Sequence, residues 1–133
     1  MSMFAHQVYD QFPSKYHKVC DTIMSLTKIP QVMLKSSSNQ CSMPVIALGT
    51  AADTNESSAE TTKVAVIEAI KLGYTHFDTA SFYGSEEALG EAIAEALQLG
   101  LIKSREELFI TSKLWLTDNF PHLVLPALHK SLQ

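Results

Sequence analysis

Paired cysteines are missing from this chain. Its two cysteines, Cys20 and Cys41, stand far apart with no CxxC spacing, which excludes a zinc ribbon and a disulfide framework and leaves reduced, inert thiols as the expectation. No metal site is expected anywhere. No run of about eighteen apolar residues occurs, and the N-terminus lacks the basic start and apolar stretch of a signal peptide, so a soluble, cytoplasmic protein is expected by default. A basic cluster is also absent. Ten Lys and Arg against fourteen Asp and Glu give a net charge of −4 and a pI near 5.7, a poor match for nucleic acid or an anionic membrane. A phosphate-bearing ligand would need a local basic pocket, and neither GxGxxG nor a P-loop is present to cradle one. Internal repeats, low-complexity tracts and interdomain linkers are lacking too. What remains is 133 residues, 46% hydrophobic and 18% charged, the composition of one ordinary globular domain.

The most informative stretch runs from Gly73 to Trp115, with GYTHFDTASFYGS at one end and LFITSKLW at the other. Each is a short apolar run that finishes in a reactive polar residue. Thr75-His76-Phe77 ends in Asp78, with Tyr83 shortly after, and Leu108 to Ser112 ends in Lys113. An amphipathic helix lies between them. Strand, helix and strand compose a βαβ unit, whose strands run parallel and usually adjacent. An acid, a phenol and an ammonium would then meet at one carboxyl edge, where α/β proteins place their chemistry.

Upstream, the segments flanking the turn cluster Ser36-Ser37-Ser38-Asn39-Gln40 read as a hairpin, and the apolar run Pro44-Val45-Ile46-Ala47-Leu48 reads as a strand covered on both faces that ends at Gly49-Thr50. Ser57 and Glu60 fit a capping box, and Gly73 is placed as the residue just past the helix end. In that helix Val66, Ala69 and Ile70 form one stripe. Ser85 is expected to cap the next helix, Leu89, Ala92, Ile93, Ala96 and Leu97 form its buried stripe, and Gly100 closes it. Glu86, Glu87, Glu91 and Glu95 read as a solvated face. Asp118 or Asn119 with Pro121 starts a third helix toward Leu132, with Pro126 as a possible kink.

HFDTASFYGSEEALGEAIAEAL followed by LFITSKLW resembles the aldo-keto reductases, and most of all the plant chalcone (polyketide) reductases and codeinone-reductase-like members. The resemblance extends from about Lys28 to Gln133. It implies an α/β fold, the N-terminal part of a (β/α)₈ TIM barrel, with the hairpin plugging the bottom and about three βα units following. The barrel would be incomplete, because a whole one needs about 200 residues or more. Residues 1–27 fall outside the resemblance and are expected to be a disordered extension, and 28–133 a partial reductase domain.

The resemblance also implies a reaction: NADPH-dependent reduction of an aldehyde or ketone to an alcohol, on a plant-type specialised metabolite or a reactive aldehyde. A carbonyl receiving hydride needs a proton at its oxygen, and Tyr83 is the matching donor. A phenol, with an ordinary pKa of about 10, is a reluctant acid that a neighbouring ammonium improves, so Lys113 would activate Tyr83 and Asp78 would hold Lys113. Taken singly, each is more simply an ion-pair partner or a packing tyrosine. Gly49, Thr50 and Asp78 match positions beside the cofactor, and Trp115 one lining the substrate pocket. The family's substrate-orienting histidine has no match. His122 and His129 are misplaced for it, and His76 inside a strand reads as a satisfied structural histidine. Loops that grip the cofactor phosphates have no match either, and each lost charge-assisted hydrogen bond weakens binding by roughly 1.5–3 kcal/mol. A truncated form with little activity alone is therefore expected, the alternative being a non-catalytic remnant serving as an interaction module. Self-association through an unpaired sheet edge is a further expectation.

Overall fold

The structure, a computed structural model, describes residues 28–35, 40–51 and 57–132. The expectations for residues 1–27, for the turn cluster and for the Ser57 side chain as a cap lie outside the described residues. Strands β1 (Gln31–Lys35) and β2 (Gln40–Pro44) pair antiparallel as a hairpin. A second, parallel sheet has the order β3 (Leu48–Gly49), β4 (His76–Asp78), β5 (Phe109–Thr111). Helix α1 (Ser57–Lys71) joins β3 to β4, and α2 (Glu86–Gln98) joins β4 to β5. This is the strand order read from the sequence. Among the described residues no strand covers the outer edge of β5.

The parallel strands are shorter than the apolar runs that suggested them. The Val45 amide bonds the Pro30 carbonyl at 2.9 Å, which extends the hairpin and leaves Val45 and Ile46 each 49% exposed. Only Leu48 and Gly49 then pair with β4. The β4–β5 ladder ends where Asp78 pairs with Thr111, so Ser112 and Lys113 lie past its end, where side chains can turn across the edge.

Both helices pack on one face of the sheet. Val66, Ile67, Ala69 and Ile70 of α1 meet Leu89, Ala92, Ile93 and Ala96 of α2 over Phe77, the central residue of the central strand, and Ile102 and Leu108 complete the cluster. One member of the sequence pattern leaves the core and one residue outside it joins. Leu97 is 38% exposed, while Ala88, on the same helical row as Ala92 and Ala96, is buried at 4%. Each helix ends on a glycine with positive φ, Gly73 at +92° and Gly100 at +68°. In both, the following residue's amide reaches back five residues, Tyr74 to the Ala69 carbonyl and Leu101 to the Ala96 carbonyl, at 2.9 Å each, the closing pattern that a left-handed residue permits. Between the helices, Lys63 pairs with Glu95 at 3.0 Å and Glu91 at 3.8 Å.

The third helix starts later than its sequence signals. Leu116–Asp118 forms a 3₁₀ turn and α3 spans Val124–Ser131. Pro126 therefore falls in the first turn, where a missing amide has no helical partner to lose, and it kinks nothing. No helix among the described residues is long and apolar enough to cross a membrane.

His76 fastens the hairpin to the sheet. It is 8% exposed; Nδ1 lies 2.7 Å from the Pro44 carbonyl oxygen and Nε2 lies 2.9 Å from Thr111 Oγ1. A carbonyl only accepts, so Nδ1 carries the proton in the bond to Pro44. Phe109 stands edge-on to the ring at 4.9 Å. His76→Leu should keep the volume but strand the Pro44 carbonyl, lowering stability by about 1–3 kcal/mol. Urea unfolding of the full-length protein measures this, and an unchanged midpoint would show that the hairpin is not held through His76.

Candidate active site

Three elements end at one place. Asp78 is the last residue of β4, Lys113 stands two positions past β5, and Tyr83 closes a 3₁₀ turn (Ser81–Tyr83) between β4 and α2. That turn is pinned from both sides, by the Tyr83 amide on the Ala80 carbonyl at 2.9 Å and by Ser81 Oγ on the Lys113 carbonyl at 3.4 Å. Gly84 follows at φ +63° and leads the chain into α2.

Lys113 is the hub. Its ammonium forms a salt bridge with Asp78 Oδ1, donates to the Thr79 carbonyl at 3.0 Å, and reaches the Tyr83 hydroxyl at 3.3 Å. An ammonium has three protons and accepts nothing, so these partners use all its donors. The Tyr83 oxygen is the acceptor in its contact with Lys113, and the phenol's own proton points elsewhere. Nζ also lies 4.9 Å from the centre of the Tyr83 ring. The Asp78 hydrogen bond, first, raises the Lys113 pKa above the ordinary lysine range; partial burial opposes this, and the Tyr83 contact adds to it.

A group whose folded pKa is raised stabilises the fold below its unfolded value, and that stability is lost as pH rises through the folded value. The protein should therefore lose stability above about pH 10.4 more steeply than an Asp78→Asn variant. The difference will be small, because the Lys113 and Asp78 side chains remain 46% and 35% exposed and solvent screens such a pair. Melting curves between pH 9 and 12 measure it, and parallel curves for the two proteins would contradict the pairing.

The other sequence-predicted residues divide. Trp115 lies flat on Phe82, with ring centroids 3.9 Å apart and planes 5° apart. Gly49 is exposed, with open space where a Cβ would stand. Thr50 is turned inward: it is 4% exposed, its amide bonds the Asp78 carbonyl at 2.9 Å, and its hydroxyl meets Ser85 Oγ at 2.9 Å. Ser85 stands at the N-cap of α2 but makes no capping bond, a correction to the sequence reading. Its hydroxyl is held in the interior by Thr50 and by Thr79 Oγ1 at 3.3 Å. Glu86 departs from the solvated face, since its carboxylate accepts from Ser112 Oγ at 2.7 Å and Ser131 Oγ at 3.1 Å and ties α2 to the segment just past β5 and to α3. Sequence reasoning missed Phe82, Thr79 and the inward role of Ser85. For Phe82 a signal existed, an aromatic beside Tyr83 in a short glycine-bounded loop.

The model of the aldo/keto reductase family matches residues 45–133. The chain belongs to that family. It is similar to the NAD(P)H-dependent 6'-deoxychalcone synthase of Glycine max, at 58% identity over 106 residues, covering 80% of this chain and 33% of that one. With NADPH-dependent codeinone reductase 1-2 of Papaver somniferum it shares 56% identity over 110 residues, 83% of this chain and 33% of the other. A crystal structure of a Bombyx mori aldo-keto reductase in complex with NADP is similar with a TM-score of 0.67 at 40% identity, over 79% of this chain and 34% of that one. The chain thus spans about a third of the length of the curated relatives it matches. The resemblance read from HFDTASFYGS and LFITSKLW is to this same aldo/keto reductase family.

Proposed function

We propose that this chain forms the first three βα units of an eight-fold barrel and carries the proton-delivery residues of an NADPH-dependent carbonyl reductase. One observation carries the reading: Lys113 spends its three protons on Asp78, Thr79 and Tyr83, which leaves the Tyr83 proton free for a substrate. Tyr83 gives that proton to the carbonyl oxygen as charge develops there, and the adjoining ammonium stabilises the phenolate that remains. Asp78 keeps Lys113 charged and aimed. NADPH, when bound, supplies the hydride to the carbonyl carbon.

The residues present fit such a group. Gly49 offers bare backbone and open space at the strand edge shared with Asp78, where a flat ring can approach closely. Thr50 contributes from beneath, by holding the Asp78 carbonyl. The Phe82–Trp115 stack supports an aldehyde or ketone on an apolar skeleton as the substrate, in keeping with relatives named for chalcone and codeinone chemistry. The barrel reading is supported by three parallel strands whose outer edges lack a partner among the described residues, and by apolar side chains left exposed near α3, Leu116 at 76% and Leu132 at 75% among them.

The test is carbonyl-dependent NADPH oxidation, with a panel of aldehydes and ketones, by the full-length protein, meaning a complete barrel that contains this chain. Turnover on the order of 1 per second or more is the expected result, and none with any carbonyl would overturn the reading.

A further inference from the structure

Three hydroxyls beneath the Asp78–Lys113 pair take no part in that proton delivery. Thr50, Thr79 and Ser85 are 4%, 2% and 5% exposed. Ser85 Oγ lies 2.9 Å from Thr50 Oγ1 and 3.3 Å from Thr79 Oγ1, and Thr50 Oγ1 lies 3.4 Å from the Asp78 backbone oxygen. Each hydroxyl has one proton to give, so a buried row of them must end on an acceptor that is not a hydroxyl, or one proton is left unbonded. The Asp78 carbonyl is that acceptor. The direction is then fixed: Thr79 donates to Ser85, Ser85 to Thr50, and Thr50 to Asp78.

The row links three chain ends that must keep their places. Thr50 follows β3, Thr79 follows β4 and its carbonyl accepts from Lys113, and Ser85 begins α2. Serine is a favoured N-cap, yet here φ −104° and ψ 0° leave the first turn uncapped while the hydroxyl faces the strands. A purely helical role would have placed it the other way.

We propose that Ser85 is a positioning residue for carbonyl reduction: its buried hydroxyl bridges Thr50 and Thr79, so that the Asp78 carboxylate and the Thr79 carbonyl meet Lys113 together. The proposal rests on the active-site reading above. Asp78 and Tyr83 are the titratable groups that contact Lys113. A Thr79 carbonyl set adrift removes one acceptor from the ammonium, which then loses its proton at lower pH.

The experiment compares Ser85→Ala, Ser85→Thr, Thr79→Val and Ala96→Gly in the full-length protein. Ser85→Ala should lower kcat about ten- to a hundred-fold, the scale of small misplacements of catalytic groups, with the KM for NADPH little changed, and should move the alkaline limb of the pH profile to lower pH. Ser85→Thr keeps a hydroxyl and should restore both. Thr79→Val removes the first donor and should move the limb the same way, which keeps the idea testable if Ser85→Ala does not fold. Ala96→Gly loosens the last turn of α2, far from the row, and should leave the limb in place. Tyr83→Phe, run in parallel, separates the two readings. If it retains turnover, proton delivery by Tyr83 fails, and Ser85 is then judged by the Lys113 titration followed by NMR with labelled lysine. An unmoved limb and an unmoved Lys113 titration in Ser85→Ala, or an equal shift in Ala96→Gly, overturns the positioning role.

Discussion

Tyr83→Phe should lower carbonyl reduction about 10²–10⁴-fold, the usual contribution of a positioned general acid, while NADPH affinity measured by calorimetry stays near wild type. The substitution removes one oxygen and keeps the ring over which Nζ sits at 4.9 Å, so the packing of the 3₁₀ turn is preserved. Lys113 loses one of three acceptors and retains Asp78 and Thr79. Lys113→Met should produce a loss of similar size for a different reason, since the phenol then stands without the cation that steadies its conjugate base. The double variant should be little worse than either single one, because residues that act as a unit lose their effect together. Near-normal turnover by Tyr83→Phe would remove it as the acid. Losses that simply multiply would show that the two residues work separately.

Much of this arrangement was legible in the sequence, and the reasons are local. Asp78 and Lys113 each close an apolar run, and adjacent parallel strands bring such ends together. Helix ends were legible because Gly73 and Gly100 sit where a left-handed residue closes a helix. Ladder lengths were not. Apolarity marks burial and cannot say which partner a backbone pairs with, so the apolar run Pro44 to Leu48 reads as one parallel strand although the Val45 amide bonds Pro30. The hydroxyl row was hidden for another reason. Ser85 immediately before a helix is most simply a cap, and only the packing of α2 against the strand ends turns it inward. Glu86 is similar: its helical phase puts it on the outer side of α2, and the partners that engage it, Ser112 and Ser131, come from segments far along the chain. The Phe82–Trp115 stack likewise joins two loops whose approach is set by the sheet register.

A large structural dependence falls on Phe77, next to Asp78. Among the described residues it is the largest fully buried side chain, at the centre of β4 and beneath both helices. Phe77→Ala should cost about 3–5 kcal/mol, transfer and cavity together, against a total of roughly 5–15 kcal/mol for a folded domain. Urea unfolding of the full-length protein should show the midpoint falling with an unchanged slope, the sign of lost stability without altered compactness. Leu72→Ala is the control: at 80% exposure it should change stability by no more than about 0.5 kcal/mol. Phe77→Leu, which leaves a smaller void, should lie between them. The site should feel the same change, because the Phe77 backbone pairs with Leu48 on one side and Ile110 on the other and so sets the register that puts Asp78 opposite Thr111, two residues short of Lys113. If Phe77→Ala unfolds no more easily than Leu72→Ala, the two helices are held by something other than this core, and the register that delivers Asp78 to Lys113 must be fixed from elsewhere.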